Sequence, residues 1–297
     1  MSFAWVTLIT TPTYLDGVLT LDYALRKARS KYPLVVLYTE SAGADTIQTL
    51  KEGKSHLELV QVDRIDTGVD FKQDVRFNET WTKLQVFALY QYEKVVFVDC
   101  DTAVVQNMDE LFEIPLNRTD RILAASHACV CNPYKKPSYP RNWVPENCAF
   151  SSQNYKPIEP QSKDDQRLGH VYGPSCDTGL KLLNSGVMVI APHRQTYEEI
   201  INVLNNFPDR IATYRFPDQD LLADLYSGRW VPLSYKYNAL KTLRVIHSDL
   251  WKDSEVKCIH YILPPKPWKV TDRQSYHDDT GTFDFWYKLN DNRLTDM

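Results

Sequence analysis

The sequence lacks several features that would place a chain in a special class. No apolar stretch has the length that spans a bilayer, so we predict neither a membrane-spanning segment nor a membrane partner. Basic residues are not in excess, since the net charge is −4, and no nucleic-acid partner is expected. No internal repeat or low-complexity tract is visible, so a repeat architecture is not indicated.

The start of the sequence does not predict a secretory leader. The chain begins MSFAWVTLI, with no basic residue before an apolar run that is too short for a signal peptide. The expectation is a cytoplasmic protein, in which the six cysteines would be reduced.

What is present is typical of a globular protein. The 297 residues suffice for one large domain with a substantial core, and 43% of them are hydrophobic. Strand-like and helix-like hydrophobic patterns alternate, which predicts an α/β fold with a doubly wound parallel sheet. Strands are predicted at 6–10, 34–38, 57–60, 95–99 and 182–190, and helices at 15–28, 42–51, 82–91 and 197–207.

An acid pair ends one of these strands. Residues 95–101 read VVFVDCD, so Asp99 and Asp101 stand where a buried strand should emerge into a cleft. Carboxylates at this spacing can hold a hard divalent cation and leave room for phosphate oxygens. Turns and helix caps also use Asp freely, so the pair alone leaves a metal site and a structural role both open.

Residues 128–180 differ from the rest of the chain. They are rich in proline, contain four of the cysteines and show little periodicity. This composition predicts an irregular insertion, such as a lid or binding loop, rather than a separate domain. We expect one domain over residues 1–275 that includes the insertion, followed by a helical or extended tail over 276–297.

Several separated motifs occur in a fixed order between about residues 3 and 270. They are a Thr-Leu-x-Thr segment near the start, Thr82–Leu84, Asp99 with Asp101, Asn184–Val189, Asp218–Leu222, Tyr237–Asn238, and His260 followed by Lys266 and Trp268. In this order the motifs resemble glycosyltransferase family 8, the group of glycogenins and galactinol synthases. The resemblance implies a GT-A fold, which is a Rossmann-like doubly wound mixed sheet, and a retaining transferase that uses a nucleotide sugar.

The resemblance also implies substrates and a cofactor. The donor would be a UDP-hexose carrying glucose or galactose, and the cofactor would be Mn²⁺, with Mg²⁺ as a substitute. By position, Asp99, Asp101 and His260 would bind the metal, although a lone His before an aromatic residue is more often a core residue. Lys266 would stabilise the leaving diphosphate; without the resemblance it would be interpreted as a solvated lysine in a proline turn.

Further positions match donor-binding residues of the family. These are Leu8, Thr10, Tyr14, Lys83, Asn184, Ser185 and Gly186. Ile9 departs from the threonine common in glycogenins, and Gly186 would let the backbone approach the sugar closely. Taken alone, Tyr14 would be interpreted as packing at the start of a helix and Lys83 as an ordinary helix lysine. Asn184–Gly186 would be interpreted as a turn.

Asp218 and Gln219 match the pair that lies near the anomeric carbon in the family. A retaining reaction needs either a carboxylate nucleophile or front-face attack with stabilisation of an oxocarbenium-like state. Asp218 is the candidate for both, and the two routes stay open. A helix-cap role after Pro217 also stays open for one of the two acids, Asp218 or Asp220.

Departures from the glycogenins bear on the acceptor. Glycogenins glucosylate their own tyrosine after the Tyr-Asn motif, and residues 239–247 contain no tyrosine here. The insertion at 128–180 has a counterpart in galactinol synthases and would form an acceptor-side lid. We expect a small hydroxylated acceptor such as the polyol myo-inositol. A glycogenin-like protein glucosyltransferase, a donor hydrolase and a non-catalytic UDP-sugar sensor are the alternatives, and a homodimer is left open.

The cysteines of the insertion have two interpretations. Together with His127, they could bind a structural zinc, since reduced thiolates favour that metal. These cysteines are Cys129, Cys131, Cys148 and Cys176. Their spacing matches no standard zinc motif, so ordinary buried thiols are the preferred interpretation.

Overall fold

The computed structural model describes residues 2–53, 57–69 and 75–296. The strands are β1 (Phe3–Ile9), β2 (Leu34–Tyr38), β3 (Glu58–Gln61), β4 (Lys94–Val98), β5 (Thr102–Val104), β6 (Leu123–His127), β7 (Leu183–Ile190), β8 (Trp230–Leu233), β9 (Ala239–Leu240) and β10 (Cys258–His260). The α-helices are α1 (Leu15–Lys27), α2 (Ala44–Glu52), α3 (Lys163–Arg167), α4 (Arg194–Asn206), α5 (Pro208–Ile211), α6 (Pro217–Leu225), α7 (Leu243–Ile246) and α8 (Phe283–Thr295). Segments of 3₁₀ helix are Pro12–Tyr14, Glu40–Ala42, Val75–Ala88, Asp109–Glu113, Pro145–Asn147, Gly169–Val171, Tyr235–Tyr237 and Pro267–Lys269.

A seven-stranded sheet forms the centre of the molecule, in the order β3-β2-β1-β4-β7-β6-β8. Only β7 runs antiparallel to its neighbours β4 and β6, so among the described strands the sheet is mixed. Alternate side chains of β1 enter two different hydrophobic clusters, with Trp5 in one and Val6 in the other. Because successive side chains point to opposite faces, β1 is buried on both sides, as expected for a doubly wound sheet.

A second, three-stranded sheet has the order β5-β10-β9. It packs with α7, α8 and part of the 128–180 insertion around a third hydrophobic cluster. The last helix also contacts α1, where Thr20 donates a hydrogen bond to the Asn290 side chain at 3.1 Å. The last helix therefore packs against both the small sheet and the first helix.

The predicted elements agree with the structure except at one segment. The strand at 34–38 is found with the predicted bounds, and the strand predicted at 182–190 is β7. The helix predicted at 82–91 is instead a 3₁₀ segment over Val75–Ala88. The insertion holds only the short helix α3 and two 3₁₀ turns among its regular elements. The division into a domain over 1–275 and a tail stays a prediction, with α8 falling inside the predicted tail.

None of the described helices combines the length and the apolar character that a membrane crossing requires.

Candidate active site

A cavity of about 1110 Å³ opens where β1 and β4 end at their carboxyl sides. Ligands of open α/β sheets bind in this position, outside the carboxyl ends of the strands. Nearly all predicted site residues line the cavity: Leu8, Thr10, Tyr14, Lys83, Asp99, Asp101, Asn184, Ser185, Asp218, Gln219, His260 and Lys266. Gly186 lies behind this lining, against His260.

The acid pair lies at the seam between the two sheets. The chain leaves the large sheet at Asp99, whose N–H donates to the Gly186 carbonyl at 2.8 Å, and enters the small sheet at Thr102. Antiparallel pairing of β5 with β10 sets Thr102 opposite His260. The Thr102 hydroxyl donates to the Asp99 carbonyl at 2.9 Å and so closes the turn. Strand register therefore brings together an acid pair and an imidazole that are far apart in sequence.

These three side chains form a group that could hold a divalent cation. His260 Nε2 lies 3.2 Å from Asp101 Oδ1 and 3.8 Å from Asp99 Oδ2. One ligand atom from each side chain falls within 4.8 Å of the others. Two carboxylates and one imidazole are a donor set suited to a hard or borderline divalent ion.

A chain of hydrogen bonds orients the His260 ring. The Gly186 N–H donates to Asn184 Oδ1 at 3.0 Å, which identifies that atom as the oxygen. Asn238 Nδ2 donates to the same oxygen at 2.8 Å, so Asn238 Oδ1 faces His260 Nδ1 at 2.9 Å. Nδ1 then donates to that oxygen, and Nε2 faces the carboxylates. This leaves Nε2 as the ring nitrogen that could bind a metal.

The absence of a side chain at Gly186 leaves space for the imidazole ring of His260. A Cβ atom at position 186 would overlap the imidazole ring at Cε1 and Nδ1. Any larger residue would therefore push His260 away from the acid pair. The contact of Gly186 with the donor sugar stays a prediction. The His260 ring by itself already requires a glycine at this position, because it occupies the space that a side chain would take.

Two lysines flank the acid pair on different sides. Lys266 Nζ lies 2.5 Å from Asp101 Oδ2 and donates to the Tyr261 carbonyl at 2.7 Å. Burial raises the pKa of Asp101, but Lys266 and His260 outweigh it and hold the pKa below its ordinary value. Burial also raises the pKa of Asp99, and there the opposing effect of Lys83 is too small to reverse it. Asp101 is thus the more firmly ionised of the pair.

Lys83 connects the acid pair to Asp218. Its Nζ lies 3.0 Å from Asp99 Oδ1, 3.1 Å from Asp218 Oδ2 and 3.4 Å from Ser185 Oγ. Burial lowers the pKa of the Lys83 ammonium, but Asp218 and Asp99 raise it more, so that lysine stays charged. Ser185 also donates to Asp218 Oδ2 at 2.7 Å. Both contacts orient the Asp218 carboxylate within the cavity.

The two acids of α6 have different surroundings. Asp220 accepts hydrogen bonds from the Arg215 and Phe216 N–H groups at 2.7 and 2.9 Å, so it stabilises the turn before the helix. Asp218 instead faces the cavity with Lys83 and Ser185. Of the two acids, Asp220 therefore has the structural role at the start of the helix that the sequence left open.

Aromatic rings form the wall near the start of α1. The Tyr14 and Trp268 rings meet edge to face at 5.6 Å, and the Trp268 N–H donates to the Thr13 carbonyl at 2.8 Å. The Lys266 ammonium lies 5.9 Å from the centre of the Tyr14 ring. This arrangement joins the segment after β1 to the segment after β10.

Two neighbours of the site carry roles that the motifs alone did not indicate. Asn238 orients His260, and Asn184 donates to Gln219 Oε1 at 3.0 Å as well as accepting from Asn238. The Tyr-Asn motif drew attention to Asn238, but the sequence spacing did not predict that Asn238 contacts His260, 22 residues later.

Comparisons with known proteins agree with this geometry. A model of the family described as glycosyl transferase family 8 matches residues 6–272. The chain belongs to this family. Galactinol synthase 1 from Solanum lycopersicum is 26% identical over 267 residues, covering 89% of this chain and 73% of that protein. Glycogenin-1 from Caenorhabditis elegans is 27% identical over 277 residues, covering 90% of this chain and 51% of that protein.

Solved glycosyltransferases share the fold. The galactosyltransferase LgtC, in a complex with donor and acceptor sugar analogues, aligns with a TM-score of 0.61 at 17% identity, covering 97% of this chain and 95% of that one. The glycosyltransferase GlyE of Streptococcus pneumoniae aligns with a TM-score of 0.60 at 16% identity, covering 99% of this chain and 63% of that one. The predicted GT-A fold and the membership in family 8 are confirmed, and the protein is a glycosyltransferase with a nucleotide-sugar donor and an acceptor.

Proposed function

We propose that this family 8 protein is a retaining hexosyltransferase that moves glucose or galactose from a UDP-sugar to a small hydroxylated acceptor. The observation that carries the proposal is the meeting of Asp99, Asp101 and His260 with Lys266 and Asp218 around one cavity. These residue types suit a diphosphate leaving group at one end and an anomeric carbon at the other.

The cavity is large enough for two substrates. Its volume of about 1110 Å³ lies at or above the upper end of the roughly 300–1,000 Å³ that small-molecule pockets occupy. A nucleotide sugar and an acceptor of similar size to one sugar would fit there together. The part of the cavity that the proposed donor-binding residues do not line is bounded by the 128–180 insertion, including Asn132, Tyr139 and Trp143.

The leaving group would be held by the metal and by Lys266. Asp99, Asp101 and His260 Nε2 would bind Mn²⁺, with Mg²⁺ as a substitute. When bound, the ion supplies Lewis-acid neutralisation of the diphosphate. Lys266 lies on the Asp101 carboxylate, so its ammonium would reach the same phosphate oxygens and stabilise the charge that develops on departure.

The sugar would be held by the residues around Asp218. Lys83 and Ser185 orient the Asp218 carboxylate, and the Asn184 amide orients Gln219. A carboxylate held in this way can attack the anomeric carbon or stabilise an oxocarbenium-like state during front-face attack. Both routes retain the anomeric configuration.

A small acceptor is favoured over a tyrosine of the protein. Residues 239–247, where glycogenins carry their acceptor tyrosine, contain none and begin with the buried strand β9. Several relatives of this chain are named galactinol synthases. A polyol such as myo-inositol is therefore the acceptor to test first.

The test measures UDP release from UDP-glucose and UDP-galactose with added Mn²⁺. Each donor is incubated with myo-inositol, with simple sugars or without acceptor, and the glycoside product is identified by mass spectrometry. We expect one donor and one acceptor together to raise the rate, and chelation of the metal to abolish it. The variant Asp101→Asn should be inactive, whereas Asp164→Asn, which alters an exposed acid, should keep the wild-type rate.

Other results would select an alternative. Stepwise hexose additions to the intact protein mass, with no soluble product, would identify a glycogenin-like protein glucosyltransferase. Acceptor-independent release alone would indicate a donor hydrolase. Binding of UDP-sugar without turnover would indicate a sensor.

A further inference from the structure

Three cysteines and one histidine meet beside the part of the cavity that the 128–180 insertion borders. Cys129 and Cys131 follow β6, Cys148 follows the 3₁₀ turn Pro145–Asn147, and His247 ends α7. One ligand atom from each lies within 4.8 Å of the others. The group is separate from the acid pair and its histidine, although Cys129 also lines the wall of the large cavity.

The distances in this group are those of a tetrahedral zinc site. For Zn–S near 2.3 Å and Zn–N near 2.0–2.1 Å, tetrahedral angles require S···N of about 3.6 Å and S···S of about 3.8 Å. His247 Nε2 lies 3.7 Å from the Cys129 sulfur, 3.3 Å from that of Cys131 and 3.5 Å from that of Cys148. The sulfurs of Cys129 and Cys148 lie 4.0 Å apart. Four atoms thus surround a space of the size of one zinc ion.

A disulfide does not account for the group. All of its cysteines are free, and a 4.0 Å separation of two sulfurs is about twice the length of a disulfide bond. Simple packing of buried thiols does not account for it either, because apolar packing gives no reason for three sulfurs to surround a single imidazole nitrogen.

We propose that Cys129, Cys131, Cys148 and His247 bind one structural Zn²⁺. Four protein ligands complete a tetrahedral shell and leave no position for a substrate, so the role is structural rather than catalytic. The inference does not depend on the proposed hexosyl transfer, since none of these ligands belongs to the donor site.

The other residues considered from the sequence are not part of the group. His127 Nε2 instead contacts the Pro174 and Ser175 carbonyls at 3.1 and 2.9 Å. Cys176 is likewise outside the group of ligand atoms. The fourth ligand is His247, which lies 99 residues after Cys148.

The zinc would connect three separate segments of the chain. It would join the end of β6 and the insertion to α7, beside the third hydrophobic cluster. Because the insertion contains little regular structure, a metal would replace backbone pairing as the constraint on its shape. The ion would thereby hold the acceptor-side wall in place.

The first experiment measures the metal content of the full-length protein. After expression with added zinc, removal of loosely bound metal by chelator and gel filtration, elemental analysis should find one zinc per chain. Cys131→Ser and His247→Ala should lower the content at least tenfold. Cys176→Ser, a matched cysteine outside the group, and Asp101→Asn, at the acid pair, should keep the full amount.

A second measurement uses wild-type protein, in case the ligand variants do not fold. X-ray absorption at the zinc edge should show three sulfur neighbours near 2.3 Å and one nitrogen near 2.0–2.1 Å. A zinc content below one-tenth per chain would overturn the proposal. So would an oxygen-rich shell, or zinc that is lost in Asp101→Asn and kept in Cys131→Ser.

Discussion

At the scale of the residue, the function of an ionisable group depends on which partner it meets. Asp99 and Asp101 are one residue apart, yet burial raises the pKa of Asp99 while Lys266 and His260 hold that of Asp101 low. The same distinction separates Asp218, which faces the cavity, from Asp220, which accepts backbone N–H groups. Sequence position alone would treat the members of each pair as equivalent.

Lys266→Ala tests the proposed leaving-group role. Removing the ammonium should lower kcat by roughly 10²–10³, as loss of one preorganised donor at a developing charge does elsewhere. The KM for the donor should change less, because the proposed metal ligands Asp99, Asp101 and His260 remain. Steady-state kinetics at saturating Mn²⁺ would measure both quantities. Lys288→Ala, at an exposed position of α8, serves as the control, and an unchanged kcat in Lys266→Ala would remove the role.

Asn238→Ala tests the orientation of His260. Without the acceptor at Nδ1, the imidazole loses its fixed orientation, and the affinity for Mn²⁺ should fall about 10–100-fold. Titration of the protein with Mn²⁺, in which the free ion is quantified by its electron paramagnetic resonance spectrum, measures this affinity without an activity assay. Asn202→Ala, at an exposed position of α4, should bind as the wild type does. Equal affinities of the two variants would refute the positioning role.

At the scale of the element, the insertion is attached to the central sheet by a buried ion pair. Asp165 of α3 lies 2.9 Å from Arg121, next to β6, and accepts from the Tyr172 hydroxyl at 2.6 Å. Asp165 is only 2% exposed. Burial raises its pKa, but Tyr172 and Arg121 lower it more, so the ionised form is stabilised in the folded protein.

Asp165→Asn should therefore destabilise the fold. Removing one partner of a buried pair costs about 3–5 kcal/mol, since Arg121 would be left without its counter-charge. A carboxyl group with a lowered pKa stabilises the protein above its ordinary value of 3.8, and this contribution is lost as the pH falls through the folded-state pKa. Urea unfolding should thus show the full difference between wild type and variant at pH 7 and a smaller one below about pH 4.

A matched substitution lies in the same short helix. Asp164 has a side chain that is 69% exposed, and Asp164→Asn should change the free energy of unfolding by less than about 0.5 kcal/mol. A loss in Asp165→Asn as small as this, at pH 7, would show that the ion pair does not hold the insertion.

At the scale of the whole molecule, α8 supports the small sheet that carries His260. Phe283 and Trp286 are buried in the third hydrophobic cluster together with Ile259 and Tyr261, the two neighbours of His260. The Trp286 ring also lies 5.6 Å from that of Trp268 at the cavity wall. The end of the chain therefore contributes to the position of His260.

Trp286→Ala should lower the free energy of unfolding by about 3–5 kcal/mol, because it leaves a large cavity in this cluster. Leu294→Ala, in the same helix but 56% exposed, should change it by less than about 0.5 kcal/mol. Chemical denaturation of both variants measures the difference. A small effect in Trp286→Ala would mean that α8 is not part of the folded core.

The sequence by itself determined the features that depend on local pattern. Hydrophobic alternation located the strands, the run VVFVDCD located the acid pair, and the ordered motifs gave the family and the residues around the cavity. The 3₁₀ form of Val75–Ala88 was not predicted, because a buried apolar period does not distinguish it from an α-helix.

Only the tertiary structure decided which distant residues meet. Strand pairing set His260 beside the acid pair, the chain of amides through Asn238 fixed the orientation of its ring, and the folding of α7 onto the insertion brought His247 to three cysteines. These contacts join positions separated by dozens of residues, and spacing along the chain carries no measure of distance in space. The physical reason is that such pairs are set by the packing of whole elements, whereas local patterns reflect only the burial of each element's own face.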